Sequence, residues 1–563
     1  MRILGNPLNL GSITESRKEL RLSAAERATH LYVCGSTGTG KSKFLENLIR
    51  QDIKNWNVGR CGMLLIDPHG SLYDAVLKWI AYYDLKRPLV LINLSDPDWV
   101  IGYNVLRRRK GLDDDSVLVK AFIQAMAHVW GESGTNNTPL FAKWADTIFR
   151  TLYHSNSTLV ESEFLIDKSD PAILHKLTKH VKARAIVNDW NFSQQLNPRE
   201  YHKEISSTAN RLRRFLANKK LRYMFGQETK SLDFEKALDE GAIVLVNTST
   251  QENVVGEEDA ALFSTLLLSD LWVAARARGK DNKNKPFYVY LDEFQKFVTP
   301  TMAENLDEAR GYGLHLTLSH QFPNQLLHAG DAGKQVFDSV MENARSKVVF
   351  EVGVTNLEQL AKALFLGTFN PDEIKNEMYS TKVMAYREEL RRSYTYGTTQ
   401  AHGYGSNDRE ARNYADGDST DVIGRAESTG TTDFYSDSES ESISESMALI
   451  PEMGRELSHI QFRSLEEQLH RAMAVLFEQR QRECVVRLNG MRAPACIRVP
   501  EVRDMPVTKE RVEKYKTKVL QESSVAMPTR TAKRQLEFRD FIMARKEEPK
   551  SEDEPVTAKR RIK

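Results

Sequence analysis

The chain has 563 residues, 40% of them hydrophobic and 28% charged, enough sequence for two to four domains with a large buried core. Lys and Arg number 79 against 77 Asp and Glu, a net charge of +2. That balance excludes binding by bulk positive charge and leaves room for a local basic surface offset by acidic surface elsewhere.

Cys34, Cys61, Cys484 and Cys496 are too few and too scattered for a disulfide framework or a paired-cysteine metal site. A reducing, cytoplasmic compartment fits them best. Residues 1–21 lack the apolar run of a secretory signal. The richest apolar window, 260–275, is interrupted by Asp270 and closed by Arg276, so it reads as a buried helix and no membrane span is expected.

Near-continuous apolar runs predict strands at 31–34, 63–66, 89–93, 242–247, 287–291, 315–319 and 348–352, several bounded by Gly, Pro or Asp. Helical patterns alternate with them, which predicts an α/β fold with a mostly parallel central sheet. Between 113 and 235 that rhythm stops, and helical patterns at 117–129, 139–154 and 202–216 predict an inserted all-α domain. Over 393–447, Ser, Thr, Tyr, Gly and Asp dominate, and Ser occupies every second position from 436 to 446. Such a stretch has no evident apolar face, so a disordered insertion is expected, with a phosphoregulated or partner-binding segment as the functional reading. An amphipathic helix follows near 465–478. Two strands at 484–488 and 495–499 then flank a loop opening with Asn489-Gly490, a dipeptide that supplies positive φ angles for a hairpin. The expected organisation is a core in two parts (1–112 and 236–392), the helical insertion (113–235), the Ser/acidic insertion (393–447), a helix and hairpin completing the core (448–510), and a charged, disordered tail (511–563).

The strongest chemical signal is Gly35-Ser36-Thr37-Gly38-Thr39-Gly40-Lys41-Ser42, a complete phosphate-binding loop between an apolar strand and an amphipathic helix. Its glycines let backbone N–H groups converge on phosphate oxygens at a helix N-terminus. Lys41 is placed to reach the β- and γ-phosphates, and the Ser42 hydroxyl to coordinate Mg2+. ATP with Mg2+ is the ligand expected. The run Tyr288-Val289-Tyr290-Leu291 ends in Asp292-Glu293; Asp292 suits the metal and Glu293 suits a general base for water. Gln321, just past the strand at 315–319, suits a sensor of the γ-phosphate and attacking water, with a structural strand cap as the alternative, while His320 reads as a packing residue or a supporting hydrogen-bond donor. Asp67-Pro68-His69-Gly70 follows the strand at 63–66, a carboxyl end where open α/β sheets hold ligands; a plain turn is the alternative. Arg310 is the candidate arginine finger for a neighbouring subunit, with Arg345 in reserve. Arg107-Arg108-Arg109-Lys110 and the cluster Arg211, Arg213, Arg214, Lys219, Lys220 and Arg222, interleaved with Phe215 and Tyr223, read either as phosphate contacts or as solvated helix faces.

Taken together, Gly35–Ser42, Asp67–Gly70, Asp292-Glu293-Phe294-Gln295, Ala309-Arg310-Gly311-Tyr312-Gly313 and Ser319-His320-Gln321 resemble the HerA/FtsK superfamily of P-loop ATPases. Within it they look most like the TraG/TraD-type coupling proteins of conjugative type IV secretion. The resemblance implies a RecA-like motor with an inserted all-α domain, a homo-hexameric ring, and DNA threaded through its centre. In that family a relaxase-bound single strand is handed to a secretion channel. Membrane-tethered members begin with transmembrane helices, and none precedes Gly35, so a separate membrane-anchor protein or a cytosolic branch is expected. The function expected is ATP-driven DNA translocation in conjugative or mobile-element transfer. A nucleotide-gated docking platform for relaxase or cargo, and a packaging ATPase, are the alternatives.

Overall fold

The computed structural model describes residues 7–544 except 60, 109–114, 130–138, 168–169, 253, 280–284, 300–301, 304–305, 328–329, 402–408, 413–422 and 427–435. Two units form: residues 1–369 with 468–563, and residues 370–467. In chain order the strands are β1 (Leu8–Ile13), β2 (Glu19–Leu22), β3 (Leu31–Cys34), β4 (Met63–Asp67), β5 (Leu89–Asn93) and β6 (Trp99–Ile101). Next come β7 (Ile243–Asn247), β8 (Phe287–Leu291), β9 (Leu314–His320) and β10 (Ser346–Val349). The remainder are β11 (Ile374–Ala401), β12 (Arg409–Arg412), β13 (Ile423–Ala426), β14 (Ser436–Phe462), β15 (Glu483–Arg487), β16 (Ala495–Arg498) and β17 (Ala526–Pro528).

The first unit is built on an eleven-stranded sheet ordered β2-β1-β16-β15-β10-β3-β9-β8-β4-β7-β5. From β10 to β5 every neighbouring pair is parallel, and β15, β16, β1 and β2 extend the sheet antiparallel. The central strands β3, β4, β7 and β8 are buried along their whole length. Strands covered by helices on both faces need such unbroken apolar runs. The fold is α/β with a mostly parallel central sheet, as the sequence predicts. Gly490 takes φ +92° in the loop between β15 and β16. Strands β1 and β2 lie outside the expectations, because an N-terminal arm that pairs with β16 carries no local signature of that long-range partner.

The long apolar helix Glu257–Arg278 meets the length and composition of a membrane span, yet 78% of its apolar window is buried inside the fold. It is a core helix, as Asp270 and Arg276 imply. Between β6 and β7 the described chain is helical, with Asp115–Val129, Pro139–Ser155 and Pro198–Ala217 the longest elements. The last begins with Asn197 and Glu200 capping each other's backbone and with Pro198 in the first turn, a start signal written into the sequence.

The expected disordered tail is corrected. Helix Lys509–Glu522, strand β17 and helix Thr529–Ala544 follow in order, and β17 pairs with β6. Val512, Tyr515, Leu520, Met527, Ala532 and Leu536 are buried. Tyr515 donates to the Leu85 carbonyl at 2.7 Å, and Arg539 lies 2.7 Å from the buried Glu161. High charge density conceals one apolar stripe at helical spacing, and that stripe is what folds the segment back. Residues 545–563 lie outside the described set.

Of the insertion 393–447 in the second unit, expected to be disordered, residues 393–401, 409–412, 423–426 and 436–447 form strands, and the others lie outside the described residues. Strands β11 and β14 form an antiparallel two-stranded ribbon of 28 and 27 residues, with Leu390 opposite Met447 and Tyr394 opposite Ile443. The Ser residues of 436–446 occupy alternate positions and therefore one face. The opposite face mixes Tyr394, Tyr396 and Ile443 with Glu439, Glu441 and Glu445, and the pairing with β11 is what composition within the segment could not reveal. The small pair β12 and β13 also belongs to this unit.

Candidate nucleotide site

Four strand ends converge because the parallel ladder runs in register: Cys34 stands beside His320, Leu291 beside Leu318, and Ile66 beside Leu291. The loop after β3, the acidic pair after β8, Gln321 after β9 and Asp67 at the end of β4 therefore share one edge of the sheet. Such carboxyl-terminal edges are where α/β sheets place ligands.

The Gly35–Ser42 loop has the backbone that phosphate binding requires. Gly38 and Gly40 take φ +85° and +111°, angles open to glycine at little cost. Gly35 is set by packing instead: a Cβ there would lie 2.6 Å from Cβ of Phe350. Helix Lys41–Gly59 follows directly, so its first-turn N–H groups face the loop without carbonyl partners from a preceding turn. Ser42 is exposed at that turn, whereas Thr39 and Lys41 are buried.

The acid pair is tied to the loop. Lys41 Nζ lies 2.9 Å from Glu293 Oε1 and 3.9 Å from Asp292 Oδ1, and all three side chains are buried. Gln295 Nε2 donates to the other Glu293 oxygen at 2.7 Å, and Ser319 Oγ donates to Asp292 at 3.0 Å. Burial lifts the Asp292 carboxyl to about 6, with Lys41 opposing and Asp67 and Glu293 adding to the rise. Glu293 adopts φ 49°, ψ 49°, a left-handed conformation costly for a non-glycine residue and frequent at functional sites.

The remaining candidates fall into three groups. Asp67 is fully buried and its carboxylate accepts the N–H groups of His69, Leu72 and Tyr73 at 2.8–2.9 Å, which caps helix Ser71–Tyr83. Gln321 is half-buried and its carbonyl accepts from Cys34 Sγ at 3.5 Å, beside the start of the loop. His320 is packed on Phe294 and bonded to Tyr32 Oη at 2.5 Å, with burial pushing its imidazole down to about 3. Arg310 and Arg345 are exposed.

Four cations of the basic clusters are used internally. Arg107 pairs with Asp233 and Arg108 bonds the carbonyls of Tyr153 and His154, while Arg109 and Lys110 lie outside the described residues. Phe215 is buried, and Lys220 is buried against the carbonyls of Asp96 and Trp99. Arg222 pairs with Glu163 at 2.6 Å. Arg213, Arg214 and Lys219 remain exposed, Arg214 pairing with Glu258.

Two further contacts have no counterpart in the sequence reading. The Arg482 N–H donates to the Thr39 carbonyl at 2.9 Å, and Gln481 Nε2 to the Gly38 carbonyl at 3.2 Å. The loop before β15 thus clasps the phosphate loop, with Arg482 at φ 71°. Gln295 and Ser319 belong to the sequence motifs Asp292–Gln295 and Ser319–Gln321, but a polar side chain alone does not name its partner.

A glycine loop open to phosphate, a hydroxyl at a helix start and a buried carboxylate pair at the next strand but one form a P-loop nucleotide-binding arrangement on a RecA-like sheet. Residues 8–270 match the family model for the central domain of helicase HerA. Among solved structures, the bacterial conjugative coupling protein TrwBdeltaN70, trigonal form with sulphate, is similar at 13% identity over 90% of this chain and 97% of its own, with a TM-score of 0.50. That likeness is one of fold. Plasmid coupling protein TrwB in complex with ADP and Mg2+ aligns at 13% identity over 90% and 97%, TM-score 0.48. VirB4 of Thermoanaerobacter pseudethanolicus aligns at 13% over 63% and 87%, TM-score 0.41. No curated protein matches the sequence.

Proposed function

We propose that the chain is an ATP-hydrolysing DNA translocase that works as a homo-hexameric ring and couples DNA to conjugative or other mobile-element transfer. The observation that carries this reading is the contact of Lys41 with Glu293 at 2.9 Å, which places a phosphate-binding ammonium beside a carboxylate suited to activate water. Phosphate draws Lys41 from Glu293, freeing Oε1, while Gln295 holds the other oxygen in line. Ser42 and Asp292 would hold Mg2+, which neutralises developing charge across the β- and γ-phosphates. Gln321 positions the attacking water, and Arg310 of an adjacent copy stabilises the transferring phosphate. DNA, carried by a relaxase and passed to a secretion-channel or membrane-anchor protein, is the partner this reading requires.

The test is ATP turnover and strand movement with and without single- and double-stranded DNA. DNA-stimulated hydrolysis, abolished in Lys41→Ala and Glu293→Gln, supports the motor. A turnover rate indifferent to DNA sinks it. A docking platform is favoured by one observation, the internal use of Lys220 and Arg222, which removes two cations from a DNA track. Nucleotide-dependent cargo binding without strand movement is the outcome that selects it over the motor.

A further inference from the structure

The second unit is hard to reconcile with an isolated existence. A ribbon of two strands, each roughly 90 Å long at about 3.3 Å per residue, is marginal in water without further strands or a packed face. Among the described residues no third strand pairs with β11 or β14. Both outer edges therefore present alternate N–H and C=O groups, and unpaired edges of this length invite another strand.

The ribbon is also two-faced. Tyr386, Leu390, Tyr394, Ile443, Met447 and Leu449 are all exposed; their cross-strand partnerships, Leu390 with Met447 and Tyr394 with Ile443, put them on one side. Alternation sends Ser438, Ser440, Ser442, Ser444 and Ser446 to the other. The same side also carries Glu388, Arg392, Glu439, Glu441 and Glu445, so it is a mixed apolar and charged face, set against a serine face.

Charge indicates the occupant. Strand β11 carries Lys375, Lys382, Arg387, Arg391 and Arg392, offset in part by Glu377, Glu388 and Glu389. Strand β14 carries Asp437, Glu439, Glu441, Glu445, Glu452 and Glu456 against Arg455. Within one chain this complementarity gives Lys382–Glu456 at 3.0 Å and Arg392–Glu445 at 2.7 Å. Each strand has a second flank, and the outer flank of β14 is matched by the outer flank of β11 on another copy.

We propose that ribbons of neighbouring copies pair edge to edge, β14 of one against β11 of the next, in the register that the two strands keep within one chain. Antiparallel order is preserved at each seam. Because the pairing is head-to-tail, it repeats around a ring and leaves no open edge once closed. The face holding Tyr386 and Leu390 and the face holding the serines each continue from one copy to the next across the seam. This pairing does not depend on nucleotide hydrolysis.

The full chain tests it in a Cys496→Ser background. Thr395 stands opposite Ser442, so Thr395→Cys and Ser442→Cys chains are prepared separately, mixed, and treated with a short bis-maleimide. The expected result is loss of monomer into a linked dimer in the mixture, at levels neither chain reaches alone. No link in the mixture, or equal linking of each chain by itself, overturns the proposal. Hydrogen exchange gives a second readout: amides of 374–401 and 436–462 should become protected as concentration drives association. Protection that appears only with phosphatidylglycerol vesicles assigns the face to a membrane and overturns the pairing of copies.

Discussion

At the residue scale, Lys41, Asp292 and Glu293 are buried charges whose pairing would change in the proposed reaction. Replacing Glu293 by Gln should leave nucleotide binding intact while lowering turnover by about 10²–10⁴, the usual contribution of a positioned base; equilibrium binding and steady-state hydrolysis separate the two. Asp292, lifted to about 6 by burial, gives a pH signature of opposite sign for folding and for binding. Because its folded value lies above the ordinary carboxylate value of 3.8, its contribution to stability is full below about 4 and is lost as pH rises through about 6. Metal binding needs the ionised form, so calorimetric affinity for Mg2+ with nucleotide should strengthen as pH rises across that window. An Asp292→Asn chain whose affinity follows the same pH curve would exclude this carboxyl as the cause.

At the element scale, stability rests on segments that return to the core from far along the chain. Leu536 in the last described helix is 3% exposed, and Leu536→Ala should cost roughly 2–4 kcal/mol in reversible denaturant unfolding, the range for a buried leucine that leaves a cavity. A solvated tail would show no change. At Gly35 an added Cβ meets Phe350 at 2.6 Å. Gly35→Ala should therefore displace the phosphate loop and weaken nucleotide binding with little loss of overall fold, a difference that circular dichroism and nucleotide titration resolve together. The strands and the phosphate loop were legible beforehand because strand runs, glycine spacing and capping residues are local signals. The clasp of Arg482 on Thr39 was not, since residues more than 400 positions apart meet only through β15 joining β10.

At the whole-molecule scale, an exposed Arg310 in one copy has its proposed work in another. Mixing inactive Lys41→Ala chains with Arg310→Ala chains should restore part of the ATP turnover, because some interfaces then combine an intact loop with an intact arginine. Absence of any recovery, with mixed rings verified by mass, would place Arg310 outside the reaction. The near-neutral net charge of +2 also acquires a distribution: in the basic segment 211–222, Lys220 is held by carbonyls and Arg222 by Glu163 while Arg213, Arg214 and Lys219 stay exposed, and β14 carries six acidic residues.

The phosphate loop, the acidic pair and the parallel sheet follow from the sequence alone, since each depends on residues within a few positions of one another. The tertiary structure decided what depends on distant partners. Lys41 meets Glu293 only because β3, β9 and β8 lie side by side. Asp67 spends its carboxylate on a helix start. Residues 436–446, apolar on neither face, become one strand of a ribbon only because β11 supplies the other. Local spacing carries chemistry and periodicity; only the fold brings together groups whose energies depend on burial and proximity.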